Sequence, residues 1–258
     1  YRAVDRYRHF AQPRITFRWE SVIARRIISV GLPAGVETFV IYVYTGLMYW
    51  AAAKLGAQVQ AAVGIGLMLI QALFIPSVSV AYGCVPVAAY YFGANDIGKV
   101  KKIYGVSLTM VVSTMLCLTA GCFLWGSTMV SFFSNDSYIE GKAAYFLACM
   151  SLNFVMSGLI HINGSILQAS GRTIWSLLAI CTRLATFVIP LLFLVSLNKV
   201  SLQWLCLLSN VAFLSQAIVS SFAVNIVIKR LKQITPEPVS AASLGFDALL
   251  MNKEGRES

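Results

Sequence analysis

Glu37 is the side chain with the largest chemical consequence in this sequence. It follows Gly31-Leu32-Pro33-Ala34-Gly35-Val36 and precedes Thr38 and the apolar run from Phe39 to Ala53. A carboxylate thus stands inside a segment long enough to cross a bilayer. A charged side chain at the centre of a membrane helix costs about 2.5–3.5 kcal/mol on insertion scales. Glu37 must therefore be protonated, paired with a cation, or turned toward a wet cavity, and the matching chemistry is proton or cation exchange. Pro33 and Gly35 loosen the helix beside it, a pattern found where irregular backbone lines a hollow. The structural alternative is a fixed ion pair with Arg183, the one basic residue placed deep within an apolar span.

Other polar residues fall within apolar stretches. Tyr42 and Tyr44 share Glu37's segment, Gln71 lies in the next, and Asn153, Ser157, His161 and Asn163 lie together further on. Asn153, Ser157 and His161 are spaced i, i+4, i+8 and share one helical face. In a membrane such a stripe faces protein or water, not lipid. Interhelical hydrogen bonding, worth about 0.6 kcal/mol per contact, accounts for each residue taken singly. Taken together, Tyr42, Tyr44, Gln71, Asn153, Ser157, His161 and Asn163 are the expected lining of a cavity that also holds Glu37. Phe39, Tyr42, Tyr44, Phe74, Tyr145 and Phe154 suit flat organic cations, although core packing uses the same residue types.

The elements that must position these residues are membrane helices. The chain of 258 residues is 58% hydrophobic and 12% charged, with a mean hydropathy of +0.75. A soluble domain carries about twice that share of charge. The fold class is therefore all-α, a polytopic membrane protein. Phosphate-loop, dinucleotide, zinc-protease and nucleophile-elbow motifs are missing, so an enzyme is not expected. The six cysteines lie in or beside apolar segments without metal-ligand spacing, and read as small hydrophobes. No metal or cofactor is expected.

Six spans follow from the apolar runs, at about 28–53, 59–92, 103–133, 143–167, 174–197 and 202–228. The second contains Pro76, Gly83 and Pro86, which predict kinks. Residues 1–27 read as a basic cytoplasmic linker, either with an interfacial helix from Phe17 or as a disordered arm, and residues 229–258 as a disordered or loosely attached tail. Six crossings put both ends, the Lys99–Lys102 loop and the Arg172 loop on one side. Lys54, Lys142 and Lys199 share the other with Asp136 and Glu140. The positive-inside rule makes the basic side cytoplasmic. It also assigns the net charge of +10 to the membrane surface, so nucleic acid is not an expected partner.

Several stretches resemble the second six-helix lobe of the multidrug and toxic compound extrusion (MATE) family. They are Gly31-Leu32-Pro33-Ala34-Gly35-Val36-Glu37, Leu55-Gly56-Ala57 with Gln60-Ala61-Ala62-Val63-Gly64, and Phe92-Gly93-Ala94-Asn95-Asp96. Ile166-Leu167-Gln168-Ala169-Ser170-Gly171-Arg172-Thr173 and Arg183 with Pro190 complete the set. The resemblance implies one lobe of a twelve-helix antiporter exporting organic cations or drugs by alternating access in the cell membrane. It implies a cation-coupling role for Glu37. It favours H+ over Na+, because the fourth span lacks an Asp that some sodium-coupled members carry. The chain is expected to be a piece whose N-terminal lobe is missing. Two other readings remain: a truncated membrane protein without transport, and a lipid-linked oligosaccharide flippase of the same superfamily. The flippase would need more intramembrane cations than Arg183.

Overall fold

A computed structural model describes residues 21–234, all but the turns of it helical. The helices are α1 Ser21–Ala53, α2 Ala57–Gly93, α3 Ile97–Ser131, α4 Ser137–Ser151, α5 Phe154–Ala169, α6 Thr173–Ser196 and α7 Leu202–Ile234. Most of the predicted linker and tail lies outside the described residues. The last span runs past the expected stop at Ile228, with Lys229 and Arg230 continuing the helix.

Three hairpin turns share one construction. Asn95, Gly171 and Asn198 adopt φ of 58°, 70° and 50°. At each, the following amide reaches back five residues: Asp96 N to Tyr91 O at 3.0 Å, Arg172 N to Leu167 O at 2.9 Å, Lys199 N to Leu194 O at 3.0 Å. This left-handed cap uses the carbonyls a helix end leaves orphaned, and Gly or Asn tolerates the backbone it needs. Asp96 then caps α3 by accepting from Lys99 N at 3.0 Å. Asp136 caps α4 by accepting from Tyr138 N at 2.9 Å.

The predicted fourth span is two helices, α4 and α5, bent by 49°. Among the described residues, five helices are long and apolar enough to cross a membrane, and the bent pair, taken as one span, makes six. The chain turns at Leu152, where Asn153 N bonds to Met150 O at 2.9 Å. The carbonyl of Ser151, freed at the break, accepts Thr119 Oγ1 from α3 at 3.0 Å. A side chain on a neighbouring helix thus satisfies the broken backbone, as hydrocarbon requires. By contrast α2 runs unbroken through Pro76 and Pro86.

The core sits where α2, α3, α4 and α5 pack together, around Met115, Phe146, Leu147, Phe154 and Ile162, all fully buried. Glycines let the backbones approach. A Cβ on Gly66 would overlap the Phe146 ring, and one on Gly158 would stand 2.5 Å from Val111 Cγ1. Leu32, Phe39, Phe123, Leu124, Trp125, Ile189 and Phe222 face outward, toward the space lipid occupies. α1 is the least embedded helix and meets the bundle mainly through α6 and α2.

Two expectations follow from this packing. Gly158→Ala lowers the thermal midpoint in detergent, because overpacking of about 1–3 kcal/mol outweighs a helix-propensity gain of about 1 kcal/mol. Gly121→Ala, where nothing lies within 4 Å, does not lower it. The second concerns the α3 cap. The Lys99 amide, followed by the Lys99 ammonium, holds the Asp96 carboxyl below its ordinary value. The cap is therefore complete at and above the ordinary carboxylate range and is lost as pH falls through the depressed value. Protection factors of the first-turn amides of α3, with the intrinsic pH dependence of exchange divided out, should fall on acidification and, at neutral pH, in Asp96→Ala.

Candidate functional site

α1 and α6 run side by side in the same direction, and two contacts two turns apart tie them. Ser176 on α6 places its Oγ 2.9 Å from both Glu37 oxygens, donating to the carboxylate. Seven residues on along each helix, the Arg183 guanidinium packs over the Tyr44 ring at 3.9 Å. Seven residues span nearly two turns, so both pairs fall on one seam.

This seam forms one wall of a cavity of about 550 Å³, lined also by α2, α4, α5 and α7. That volume suits a drug-sized molecule. Tyr42 and Tyr82, each 70% exposed, stand on its open flank between α1 and α2. Gln71 and Phe74 line it from α2. On α5, His161 Nδ1 lies 3.0 Å from Ser77 Oγ. Asn153, at the α4–α5 break, donates to Asn210 Oδ1 at 2.6 Å. The deep end is aromatic and basic. Phe213 packs against Arg183 at 3.7 Å, Phe187 against Tyr44 at 4.7 Å between centroids, and the Tyr44 hydroxyl meets Ser209 Oγ at 2.6 Å.

The structure gathers Glu37, Tyr42, Tyr44, Gln71, Asn153, Ser157 and His161 on this one lining. Asn163 does not join them and must be corrected. It lies two residues beyond His161, more than half a turn around α5, and is fully buried. Its amide donates to Ser220 and Ser221 Oγ, each at 3.0 Å. Its carbonyl accepts the Tyr104 hydroxyl at 2.8 Å. Asn163 therefore ties α5 to α3 and α7. The alternative Glu37–Arg183 ion pair is not formed either: among the described residues the salt bridge is Lys99–Asp96. Ser176, Gln216 and Phe213 were not expected at the site. Ser176 had a legible signal, because it precedes Arg183 by the interval that separates Glu37 from Tyr44.

The fold has known counterparts. Multidrug export protein MepA of Staphylococcus saprophyticus is 28% identical over 175 residues, covering 66% of this chain and 37% of that protein. MepA of Staphylococcus aureus matches at 28% over 176 residues with the same coverage. Among solved structures, an outward-facing multidrug resistance MATE transporter of the MOP superfamily superposes with a TM-score of 0.78 at 16% identity. It covers 90% of this chain and 54% of that one. A MOP superfamily transporter from Pyrococcus furiosus, described as having a binding pocket of reverse polarity that suggests a different function, gives 0.79 at 16% identity. The match covers 89% of this chain and 54% of that one. The chain thus spans little more than a third of the curated relatives' length and about half that of the structures. The MatE family model matches residues 33–194, well over half of the sequence and every helix from α1 to α6, and the chain belongs to that family.

Proposed function

We propose that this chain is one lobe of a cation-coupled antiporter that exports small organic molecules by alternating access, with Glu37 as the coupling residue. One observation carries the reading. An intramembrane carboxylate faces an open cavity, and its hydrogen-bond partner is a neutral hydroxyl instead of a cation. A serine hydroxyl donates to a carboxylate and accepts from a carboxylic acid. Ser176 therefore keeps Glu37 bonded in either charge state, which suits a group that loads and unloads a proton in each cycle. Among the described residues Glu37 is the one carboxylate on the lining, which favours H+ over Na+, since a metal ion calls for several hard oxygen ligands.

A second six-helix lobe would close the flank where Tyr42 and Tyr82 are exposed, completing a central cleft. The multidrug exporters among the relatives support drug-sized cations as cargo, with the aromatic lining as their contact surface. The charge asymmetry supports cytoplasmic placement of both ends in the cell membrane. Lys99, Lys101, Lys102 and Arg172 sit at hairpins on the side to which Lys229 and Arg230 return.

Efflux of ethidium from proteoliposomes carrying the full-length transporter tests the coupling. An imposed pH gradient drives efflux in the wild type, and Glu37→Gln removes the gradient-driven part by at least about tenfold, a loss of roughly 1.4 kcal/mol or more in coupling. Ser176→Ala gives a smaller loss. Efflux driven equally well through Glu37→Gln, or driven by a sodium gradient alone, overturns the proton assignment.

A further inference from the structure

Two cysteines meet across the seam between α4 and α7. Asn153 and Asn210 set its register, with Asn153 Nδ2 donating to Asn210 Oδ1 at 2.6 Å. Cys149 and Cys206 each stand four residues, about one turn, before these asparagines. α4 and α7 belong to alternate spans and run the same way, so residues matched at one turn are matched again at the next. The thiols are in contact there. Cys149 shares side-chain hydrogen bonds with Cys206 and with the hydroxyl of Tyr145, one turn before it on α4. Both cysteines are free, Cys206 buried and Cys149 partly exposed. Neither lines the cavity, although Met150 and Asn153 beside them do. Cys206 is close to the start of α7, at the end of the bundle that carries Lys142 and Lys199. On the placement proposed above that end faces away from the cytoplasm, where disulfides persist.

We propose that Cys149 and Cys206 are a redox modification site, which small-molecule disulfides such as glutathione disulfide close to a cystine. Cys149, the more accessible thiol, attacks one sulfur of glutathione disulfide as its thiolate. The S–S bond breaks, and one glutathione leaves with the proton from Cys149. Cys206 then attacks the Cys149 sulfur of the mixed disulfide and expels the second glutathione, which takes the proton from Cys206. Both cysteines are oxidised, and the glutathione disulfide is reduced to its two thiols. Thiols already in contact come to S–S bonding distance through side-chain rotation, without drawing helices together. Tyr145 can donate to the Cys149 sulfur while it carries charge. The closed pair fixes α4 to α7 one turn from Asn153, beside the α4–α5 break. It involves no residue of the Glu37 seam and stands apart from the antiport reading.

The test is exposure of the detergent-solubilised full-length transporter to glutathione disulfide, followed by tryptic digestion without reduction and mass spectrometry. The peptides 143–172 and 200–229 each hold one cysteine, Cys149 and Cys206, so their linkage is unambiguous. In the wild type the two peptides are recovered joined, and dithiothreitol separates them. Cys206→Ser leaves glutathione on Cys149, the first intermediate held for want of a resolving thiol. Cys149→Ser leaves Cys206 reduced. Recovery of both wild-type thiols unmodified, glutathione retained on wild-type Cys149, or linkage of either residue to a different cysteine overturns the proposal. Glutathione on Cys206 in Cys149→Ser overturns the assigned order of attack. If a serine variant does not fold, the wild-type linkage decides.

Discussion

The hydrogen bond between Glu37 and Ser176 is the constraint around which the site is arranged. Hydrocarbon admits a carboxylate only with protein or water around it, so α1 must present Glu37 inward although much of that helix faces outward. α6 supplies the partner, and the same seam then brings Tyr44 under Arg183. An acid and a base occupy one hollow without neutralising each other because each has another partner. The acid has a hydroxyl, and the base has two aromatic rings. The two poles remain separate charges available to whatever enters.

Much of this arrangement was legible in the residues, and the exceptions have physical causes. The hairpin turns were readable because left-handed backbone selects Gly or Asn, and Gly171, Asn95 and Asn198 stand where the apolar runs stop. The cavity face of α5 was readable because Asn153, Ser157 and His161 obey the helical repeat. The break between α4 and α5 was not, since neither proline nor glycine occupies Ser151-Leu152-Asn153. What permits it is a threonine more than thirty residues away, on α3. Local sequence does not carry that information. Conversely, Pro76 and Pro86 signal a distortion, yet α2 carries both without losing its continuity.

Asn163 shows the limit of reasoning by residue type. A polar side chain in an apolar span announces that it must be satisfied, but not by what. Two positions along a helix decide between the cavity and the interior, and at Asn163 the interior supplies three partners. Gln216 and Ser157 are the reverse case. Their polar atoms lie buried on the lining and unmatched, which no periodicity reveals. Tertiary packing alone separates polar groups that the fold satisfies from those it leaves unmatched.

The lengths of α2 and α3 have a consequence of their own. At 37 and 35 residues they extend about 50–55 Å, against a hydrocarbon thickness of about 30 Å. Tilt or protruding ends take up that surplus, and the Gly93–Ile97 corner that joins the two helices, with Lys99, Lys101 and Lys102 just after it, is polar enough to stand in water. Two helices longer than the bilayer thus give a protein made mostly of oil-soluble rods a stiff corner that a soluble reagent reaches without entering the hydrocarbon.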